Sequence, residues 1–538
     1  MSQSAPLHPD QKPDQSPAYI TTPIYYVNDR PHIGHAYTTT LCDVWARAMR
    51  FAGRDVFFLT GTDEHGVKVE KSAQARGIEP QALADENAAE FQKVMKMFNL
   101  TNDDFIRTTE PRHERQVQAL VKRLLETGDV YLGEFEGWYD EGQEEYVTET
   151  KAKETDFKSP ISGKPLVRAN ERNYYFKLSA YQDRLETLFA DHPGFVKPDA
   201  RRNEVLGRLR GGLQDVPITR TNFTWGIPFP GDEEHVIYVW IDALLNYATA
   251  LNLADADDDR HRYWPATFHV IGKEILWFHA VIWPAVLMAL ELPMPGCVYA
   301  HSFWISEGKK MSKSLGNFVD LPTIERYLDV YGLDAWRWYM VNNGPLGATD
   351  ADFQAAGFHE TYTTDLVNTV GNCASRTTAM LGKYFDGVVP ADAGCEFPGW
   401  DLKASADEAV TAWRAALEDF ALHDACAAGI GLLRTVDAFI NATEPFKVAK
   451  DPDRRDELAS TLARCIEAVR IASVMLWPVI PQRMESLWLA IGCDIDPASG
   501  DLTTQACWGD SLVGAQTEKV ALFPRIDAAS TPMADVAS

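Results

Sequence analysis

Between Ala18 and Gly128 the chain alternates strand-like and helix-like hydrophobic patterns, an order that leaves few folds open. Ala18 to Val27 is rich in Ile, Thr, Tyr and Val and stops at the turn formers Asn28-Asp29-Arg30-Pro31, which predicts a strand ending in a loop. After Gly34-His35 the apolar residues fall at Leu41, Val44, Trp45, Ala48 and Met49, the i, i+3, i+4, i+7, i+8 stripe of a helix, with Gly53 where a C-cap belongs. Asp55 to Thr60 predicts a second strand. Val117, Leu120, Val121, Leu124 and Leu125, before Gly128, predict another helix. This order implies a parallel sheet built from right-handed crossovers.

The rest of the chain divides by texture. From about 128 to 219 it turns to short strand-like pieces with Gly, Pro and many charges and no second helical layer, which reads as an insertion. Alternation resumes with Val236 to Trp240, Phe268 to Gly272 and a helix from Lys273 to Leu290. The expected fold is therefore α/β, a Rossmann-like parallel sheet split in two. Beyond about Leu366 the strands disappear and helical periods such as Ala409, Trp413, Ala416, Leu417 and Phe420 predict an all-α bundle. A length of 538 residues suits three to four domains. The expected segments are a disordered tail 1–17, a first half-sheet 18–127, the insertion 128–219, a second half-sheet 220–300, a connector 301–365, the bundle 366–525 and a disordered tail 526–538.

Lys and Arg total 51 against 77 Asp and Glu, a formal net charge of −26, which disfavours a generic polyanion binder but not one specific RNA. The eight cysteines, at 42, 297, 373, 395, 426, 465, 493 and 507, form no CxxC pair, so neither a disulfide framework nor a thiolate zinc knuckle is expected, and a reducing cytoplasm is. The apolar stretch Ile275 to Leu290, broken by His279 and Pro284, falls short of the roughly 18 residues of a membrane span and reads as a core helix. Residues 1–17 lack the features of a signal or transit peptide.

Two motifs carry chemistry. Pro31-His32-Ile33-Gly34-His35 stands between the first strand and the first helix, where free N–H groups and the helix dipole favour phosphate and two imidazoles can donate to developing charge. Alone it could equally cap a helix. Lys309-Lys310-Met311-Ser312-Lys313-Ser314-Leu315-Gly316-Asn317 sets ammonium groups and hydroxyls on a loop flanked by Gly308 and Gly316, suited to closing over a triphosphate. The two come in order, one on each half of the split sheet.

Together they resemble the HIGH and KMSKS signatures of class I aminoacyl-tRNA synthetases. Thr21-Thr22-Pro23-Ile24-Tyr25-Tyr26-Val27-Asn28, Gly61-Thr62-Asp63-Glu64-His65-Gly66, Val239-Trp240-Ile241-Asp242-Ala243 and Gly272-Lys273-Glu274-Ile275-Leu276-Trp277-Phe278-His279 narrow the resemblance to the methionyl-tRNA synthetase family, over residues 18 to about 525. It implies activation of L-methionine with ATP to methionyl-adenylate and pyrophosphate, then transfer to the 3′-terminal ribose of initiator and elongator tRNA(Met). His32, His35, Lys310 and Lys313 would be catalytic. Gly34, Gly272, Glu274 and Ser312 would join them around ATP, which is expected with Mg²⁺ although no carboxylate cage is visible.

The resemblance assigns Asp63 to the methionine ammonium and Ile24, Tyr26, Trp240, Ala243, Leu244, Tyr247, Ile275, Phe278, His279 and Trp283 to the side-chain pocket, where aromatic and polarizable walls suit a thioether. Leu244 departs from the Pro of some relatives. Arg220 matches a conformationally important arginine. Asn372 and Arg376, i and i+4 on one helix, match a base-contacting pair for the anticodon, and Phe446 stands where relatives often have Trp to stack a base. At the family's paired-cysteine positions the chain has Asp140, Gln143, Ser159 and Ser162, so no metal is expected there. Arg201, Arg202, Arg208 and Arg210 form a basic cluster that either touches the acceptor stem or salt-bridges nearby acids.

Relatives acting on Ile, Val or Leu carry a much larger editing insertion, and a cysteine-specific relative needs thiolates that are absent. A small-molecule nucleotidyltransferase would leave the helical C-terminus idle. A non-enzymatic RNA-binding paralogue would be expected to lack His35 or Lys313. The chain ends soon after the bundle, without the dimer-forming module of some relatives, so a monomer is expected, with no membrane partner.

Overall fold

The structure is a computed structural model that describes residues 16–27, 31–140, 145–147, 149–159, 163–311, 317–499 and 501–532. The first predicted strand is two, β1 (Ala18–Thr21) and β2 (Tyr25–Tyr26), because Pro23 between them has no N–H for a ladder. Helix α1 (Ile33–Phe51) is buried over most of its length and ends at Gly53, whose φ of +88° suits glycine. β3 (Val56–Asp63) runs three residues past the predicted end and so carries Asp63 to the edge of the sheet. α2 (Val67–Arg76), α3 (Pro80–Met97) and β4 (Asp104–Arg107) follow unpredicted; α2 buries only Val69 and Ala73 and so has no stripe to read. α4 (Pro111–Glu126) is the expected helix.

The tract 128–219 holds two packing units. β5 (Val130–Asp140), β6 (Glu145–Val147), α5 (Glu149–Glu154) and β7 (Val167–Phe176) make an antiparallel arm. α6 (Gln182–Asp191), β8 (Val196–Lys197), α7 (Asp199–Leu209) and β9 (Val216–Pro217) complete it, and these helices correct the expectation of no second helical layer. Leu185, Phe189, Val205 and Leu209 are buried with Val298 and Ala300 of the main sheet, so the apolar partners of α6 and α7 lie far away in sequence. β9 closes the arm's sheet, whereas β8 joins the main one.

β10 (Thr219–Arg220), β11 (Pro228–Phe229) and β12 (Asp232–Ile237) form a small antiparallel sheet. Val239 and Trp240, predicted as strand, instead open α8 (Val239–Thr249), whose first-turn Asp242 complements the helix dipole. After β13 (Phe268–Gly272) the predicted single helix breaks into a 3-10 turn at Lys273–Ile275, a π-helical turn at Phe278–Ile282 and α9 (Trp283–Ala289). Pro284 is the cause we assign: it has no N–H for the carbonyl four residues back, and widening the turn absorbs the break. β14 (Cys297–His301) completes a wholly parallel sheet of order β2-β3-β1-β13-β14-β8, with β4 beside β3. Ile20 on β1 pairs with Phe58 on one side and Phe268 on the other, so the two halves of the chain close one sheet.

The connector comprises hairpin β15 (Trp304–Ser306) and β16 (Lys309–Lys310), helices α10 (Leu321–Tyr331) and α11 (Leu333–Asn343), β17 (Ala351–Phe353) and α12 (Ala355–Thr361). The expected all-α bundle follows as α13 (Asn372–Phe385), α14 (Leu402–Glu418), α15 (Leu422–Thr443), α16 (Pro445–Val448), α17 (Arg455–Leu476), α18 (Pro481–Ala490) and α19 (Leu502–Gln505). One apolar core runs from Ile20 and Trp45 through Phe268 to Phe420 and Trp488. The Trp45 indole donates to the Leu417 carbonyl at 3.0 Å. Arg337, fully buried, donates to Asp43 of α1 at 2.7 Å and to the carbonyls of Phe98, Pro478 and Val479. Residues 528–530 form a 3-10 turn, and the Thr531 hydroxyl lies 2.6 Å from Tyr331 Oη, so this part of the expected tail is docked.

Candidate active site

A cavity of about 510 Å³ opens where β1, β3, β13 and β14 reach their carboxyl ends, the crevice in which parallel α/β sheets hold ligands. Its first wall is the N-terminus of α1. His32 is the N-cap and accepts the Gly34 amide on Nδ1 at 3.1 Å, while His35 Nδ1 accepts the His32 amide at 3.3 Å, a capping box built from imidazoles. With both Nδ1 atoms occupied as acceptors, both neutral rings carry their proton on Nε2. Burial first, and His32 second, hold the His35 pKa well below its ordinary 6.5. A Cβ at Gly34 would stand 3.0 Å from the His32 ring, which is why glycine separates the two.

The second wall lies at the end of β13. The Glu274 carboxylate folds over Gly272, where a Cβ would meet Oε2 at 2.3 Å. Glu274 faces solvent through the cavity, yet burial of its carboxyl among the walls raises its pKa. The third wall is aromatic. Trp240 and Phe278 stack with ring centroids 3.9 Å apart. His279 donates from Nδ1 to the Ile275 carbonyl at 3.0 Å and accepts the Tyr247 hydroxyl on Nε2 at 2.8 Å, and burial lowers its pKa to about 4. Ile24, Tyr26, Ala243, Leu244 and Ile275 line the same cavity, with Asp63 at its edge.

Trp283 is absent from the lining. It stands one layer behind, fully buried, donating to His269 Nε2 at 3.2 Å, with Tyr247 in ring contact in front of it. Sequence reasoning missed Tyr25, Thr38, Lys68, His301, Ser302, Phe303 and Trp304, which also line the cavity. His301 Nε2 lies 2.7 Å from Thr38 Oγ1, its Nδ1 donates to the Ser302 carbonyl, and burial lowers its pKa to about 4. A polar His-Ser pair ending a buried strand was the available signal.

Lys310 is exposed on β16, outside the lining. Ser312 and Lys313 lie outside the described residues. The β15–β16 hairpin precedes them, and after them the Phe318 ring lies 5.3 Å from that of His32. Arg220 is buried with its guanidinium 4.3 Å over the Tyr238 ring, next to the start of α8. Of the basic cluster, Arg201 reaches Glu204, Ser302 and the Ala348 carbonyl, Arg202 the Phe189 carbonyl, and Arg208 stacks on Trp277 at 3.9 Å; Arg210 is exposed.

Far from the cavity, Asn372 is exposed on α13, and Arg376 one turn on donates to Asp437 at 2.9 Å and Asn441 at 3.0 Å. Phe446 is 47% exposed, large for an aromatic ring, five residues beyond Asn441. In the arm Asp140 and Ser159 are buried, Gln143 and Ser162 lie outside the described residues, and Trp138 and Phe157 pack on Val147, Ala152 and Leu166.

A parallel sheet interrupted by an insertion, two imidazoles at the first helix N-terminus and a lysine hairpin returning onto them define a class I aminoacyl-tRNA synthetase. The family model for class I tRNA synthetases (M) matches residues 18–155 and 152–378. Methionine–tRNA ligase of Halalkalibacterium halodurans is 40% identical over 529 residues, 96% of this chain and 79% of that one. The Brucella suis enzyme of the same name is 41% identical over 513 residues, 94% of this chain and 97% of that one. The structure of Mycobacterium tuberculosis methionyl-tRNA synthetase with methionyl-adenylate superposes with a TM-score of 0.88 at 36% identity, over 95% of this chain and 100% of that one. This chain belongs to the methionyl-tRNA synthetase family.

Proposed function

We propose that the chain activates L-methionine with ATP and charges tRNA(Met) in two steps at the cavity. The observation that carries this reading is that one cavity joins the imidazole-lined N-terminus of α1 to an aromatic pocket and to Asp63. In the first step a methionine carboxylate oxygen attacks the α-phosphorus and pyrophosphate leaves. The enzyme needs no nucleophile of its own, only positioning and charge stabilisation. The Nε2–H groups of His32 and His35 donate to the phosphates, at the positive end of the α1 dipole. Lys310 and Lys313 neutralise the departing pyrophosphate, with Ser312 donating beside them. Gly272 lets the nucleotide approach the backbone, and Glu274 accepts from its hydroxyls.

Asp63 holds the ammonium, and Trp240, Phe278 and their neighbours enclose the thioether. The Tyr247 hydroxyl and His279 place polar atoms beside the sulfur. Trp283 supports this wall from behind, and Arg220 steadies the entry to α8. In the second step the terminal ribose hydroxyl of tRNA attacks the carbonyl carbon and AMP leaves. Asn372, Arg376 and Phe446 on segment 366–525 read the anticodon, while 301–365 carries the lysines between the two ends. Mg²⁺ is taken to enter with ATP as part of the substrate. We assign the chain to the cytoplasm and to a monomer.

Methionine-dependent exchange of labelled pyrophosphate into ATP tests the reading, and exchange with another amino acid but not methionine would overturn it. Lys313→Ala should slow adenylate formation strongly and leave methionine binding nearly intact, because its charge acts in the transition state.

A further inference from the structure

The segment that follows Asp63 is fixed from several sides. Glu64, with no exposed surface, takes Arg107 in a bidentate pair at 2.7 and 2.9 Å and accepts the Thr62 and Thr109 hydroxyls. The Trp225 indole donates to the Glu64 carbonyl at 2.7 Å, and the Gly66 amide donates to the Trp225 carbonyl at 3.0 Å. Between them His65, buried and outside the cavity lining, sets Nδ1 2.7 Å from Asp242 Oδ2. Asp242 belongs to α8, between Trp240 and Ala243, and is fully buried. Its other oxygen is 2.6 Å from His113 Nε2 on α4, and His113 Nδ1 is 2.7 Å from Thr249 Oγ1 at the far end of α8.

A carboxylate removed from water needs a cation or it takes up a proton. Burial alone would discharge His65, but Asp242, Glu114 and Glu64 together lift its pKa above 6.5, Asp242 most strongly, and the Asp242 carboxyl is lowered in return. Glu114 Oε1 lies 3.8 Å from His65 Nε2 at the surface end of the network.

We propose that His65 is a positioning residue for the amino-acid site: its ion pair with Asp242 holds the strand end bearing Asp63 in register with the helix bearing Trp240, Ala243, Leu244 and Tyr247. The inference rests on the assignment of Asp63 to the ammonium and of α8 to the side chain. Methionine spans both elements, so a small misregister between them weakens its grip. ATP, held by α1 and the end of β13, does not span that joint.

Pyrophosphate exchange by the full chain separates the cases. His65→Ala should raise the methionine KM about tenfold or more and leave the ATP KM within about twofold, since it strands a buried charge beside one substrate only. His65→Asn, which keeps an N–H near the Nδ1 position, should recover part of the loss. Asp63→Asn is measured beside them. If it leaves the methionine KM unchanged, the ammonium assignment fails and the inference fails with it. If Asp63→Asn raises that KM but neither His65 variant does, or if the methionine and ATP KM rise together, only the positioning role is overturned. Should the alanine variant not fold, the asparagine variant decides by the same comparison.

Discussion

The amide of Ile33, the first residue of α1, donates to the carbonyl of Val319 at 3.2 Å, and His32 pairs with Asp320 across an antiparallel bridge. The lysine loop therefore ends directly on the helix N-terminus that carries both imidazoles. Val319 and Asp320 thus form a base for that segment, tied to the imidazoles proposed to hold phosphate.

Asn317 controls that base. Its Nδ2 donates to the Ser306 carbonyl at 3.1 Å and the Lys310 carbonyl at 3.2 Å, joining the two ends of the loop. Asn317→Ala should lower kcat for pyrophosphate exchange about tenfold with little change in the methionine KM. Steady-state exchange kinetics check it, and a rise in methionine KM of the same size would argue against a role confined to the loop.

Arg376→Ala should weaken aminoacylation of tRNA and spare pyrophosphate exchange, since Arg376 and its partners Asp437 and Asn441 lie outside the cavity. Loss in both assays would move Arg376 from recognition to folding. In the proposed reading its ion pair with Asp437 is exchanged for an RNA base, so Asp437→Asn should alter the charging KM as well.

Acid should loosen the fold before it protonates the core carboxylates. His279 and His301 drop from 6.5 to about 4, so the unfolded chain binds more protons between those values and stability falls with falling pH across that window. Each contributes a loss of roughly 3 kcal/mol by its lower limit. His65, raised, gives stability that is complete below pH 6.5 and fades as pH rises through its folded pKa; Asp242, lowered, holds until below 3.8. Melting temperature should therefore decline from pH 6.5 to 4.5, and His301→Gln should flatten the decline. A flat profile in the parent chain would contradict the burial of neutral imidazoles.

Asp43 joins three parts of the chain. Burial would raise its pKa, but Arg337 and Arg47 outweigh burial and lower it. Asp43→Ala leaves Arg337 and Arg47 charged without their carboxylate and should cost about 3–5 kcal/mol, whereas Arg337→Met with Asp43→Leu removes the fully buried pair, leaving only Arg47 with the Asn99 carbonyl, and should cost less. Denaturant melts of the three proteins decide between these orders.

The arm should fold without zinc. At the family's paired-cysteine positions the sequence has a carboxylate, an amide and two hydroxyls, too hard for a tetrahedral thiolate site, and the arm has an apolar cluster around Trp138 and Phe157. Elemental analysis of purified protein should give substoichiometric zinc, and chelator should leave the exchange rate unchanged.

Much of the catalytic sheet was legible because its strands are short apolar runs and its helices carry stripes; α1 begins and ends within two residues of what Gly34 and Gly53 mark. What stayed hidden depends on distant partners. α6 and α7 bury their apolar residues against β14, a hundred residues away, so local texture read as irregular. Val239-Trp240 reads as strand by propensity but becomes helix where Tyr238 turns the chain. In the site, His32, Asp63, Trp240 and His279 could be named because they stand in motifs that resemble the family's signatures. His301 and Trp304 were missed, since the His-Ser pair marks a ligand wall only once the sheet order is known.

β8 has a practical corollary. Residues 196 and 197 are woven into the catalytic sheet beside β14, so the helices around them are not part of a detachable piece. What projects is the ribbon of β5 and β7, whose roots Val130 and Phe176 face each other as ladder partners. Anyone exchanging this appendage between relatives should cut at those two roots, as one grafts a hairpin. A swap made at 128 and 219 would pull an edge strand out of the catalytic sheet itself.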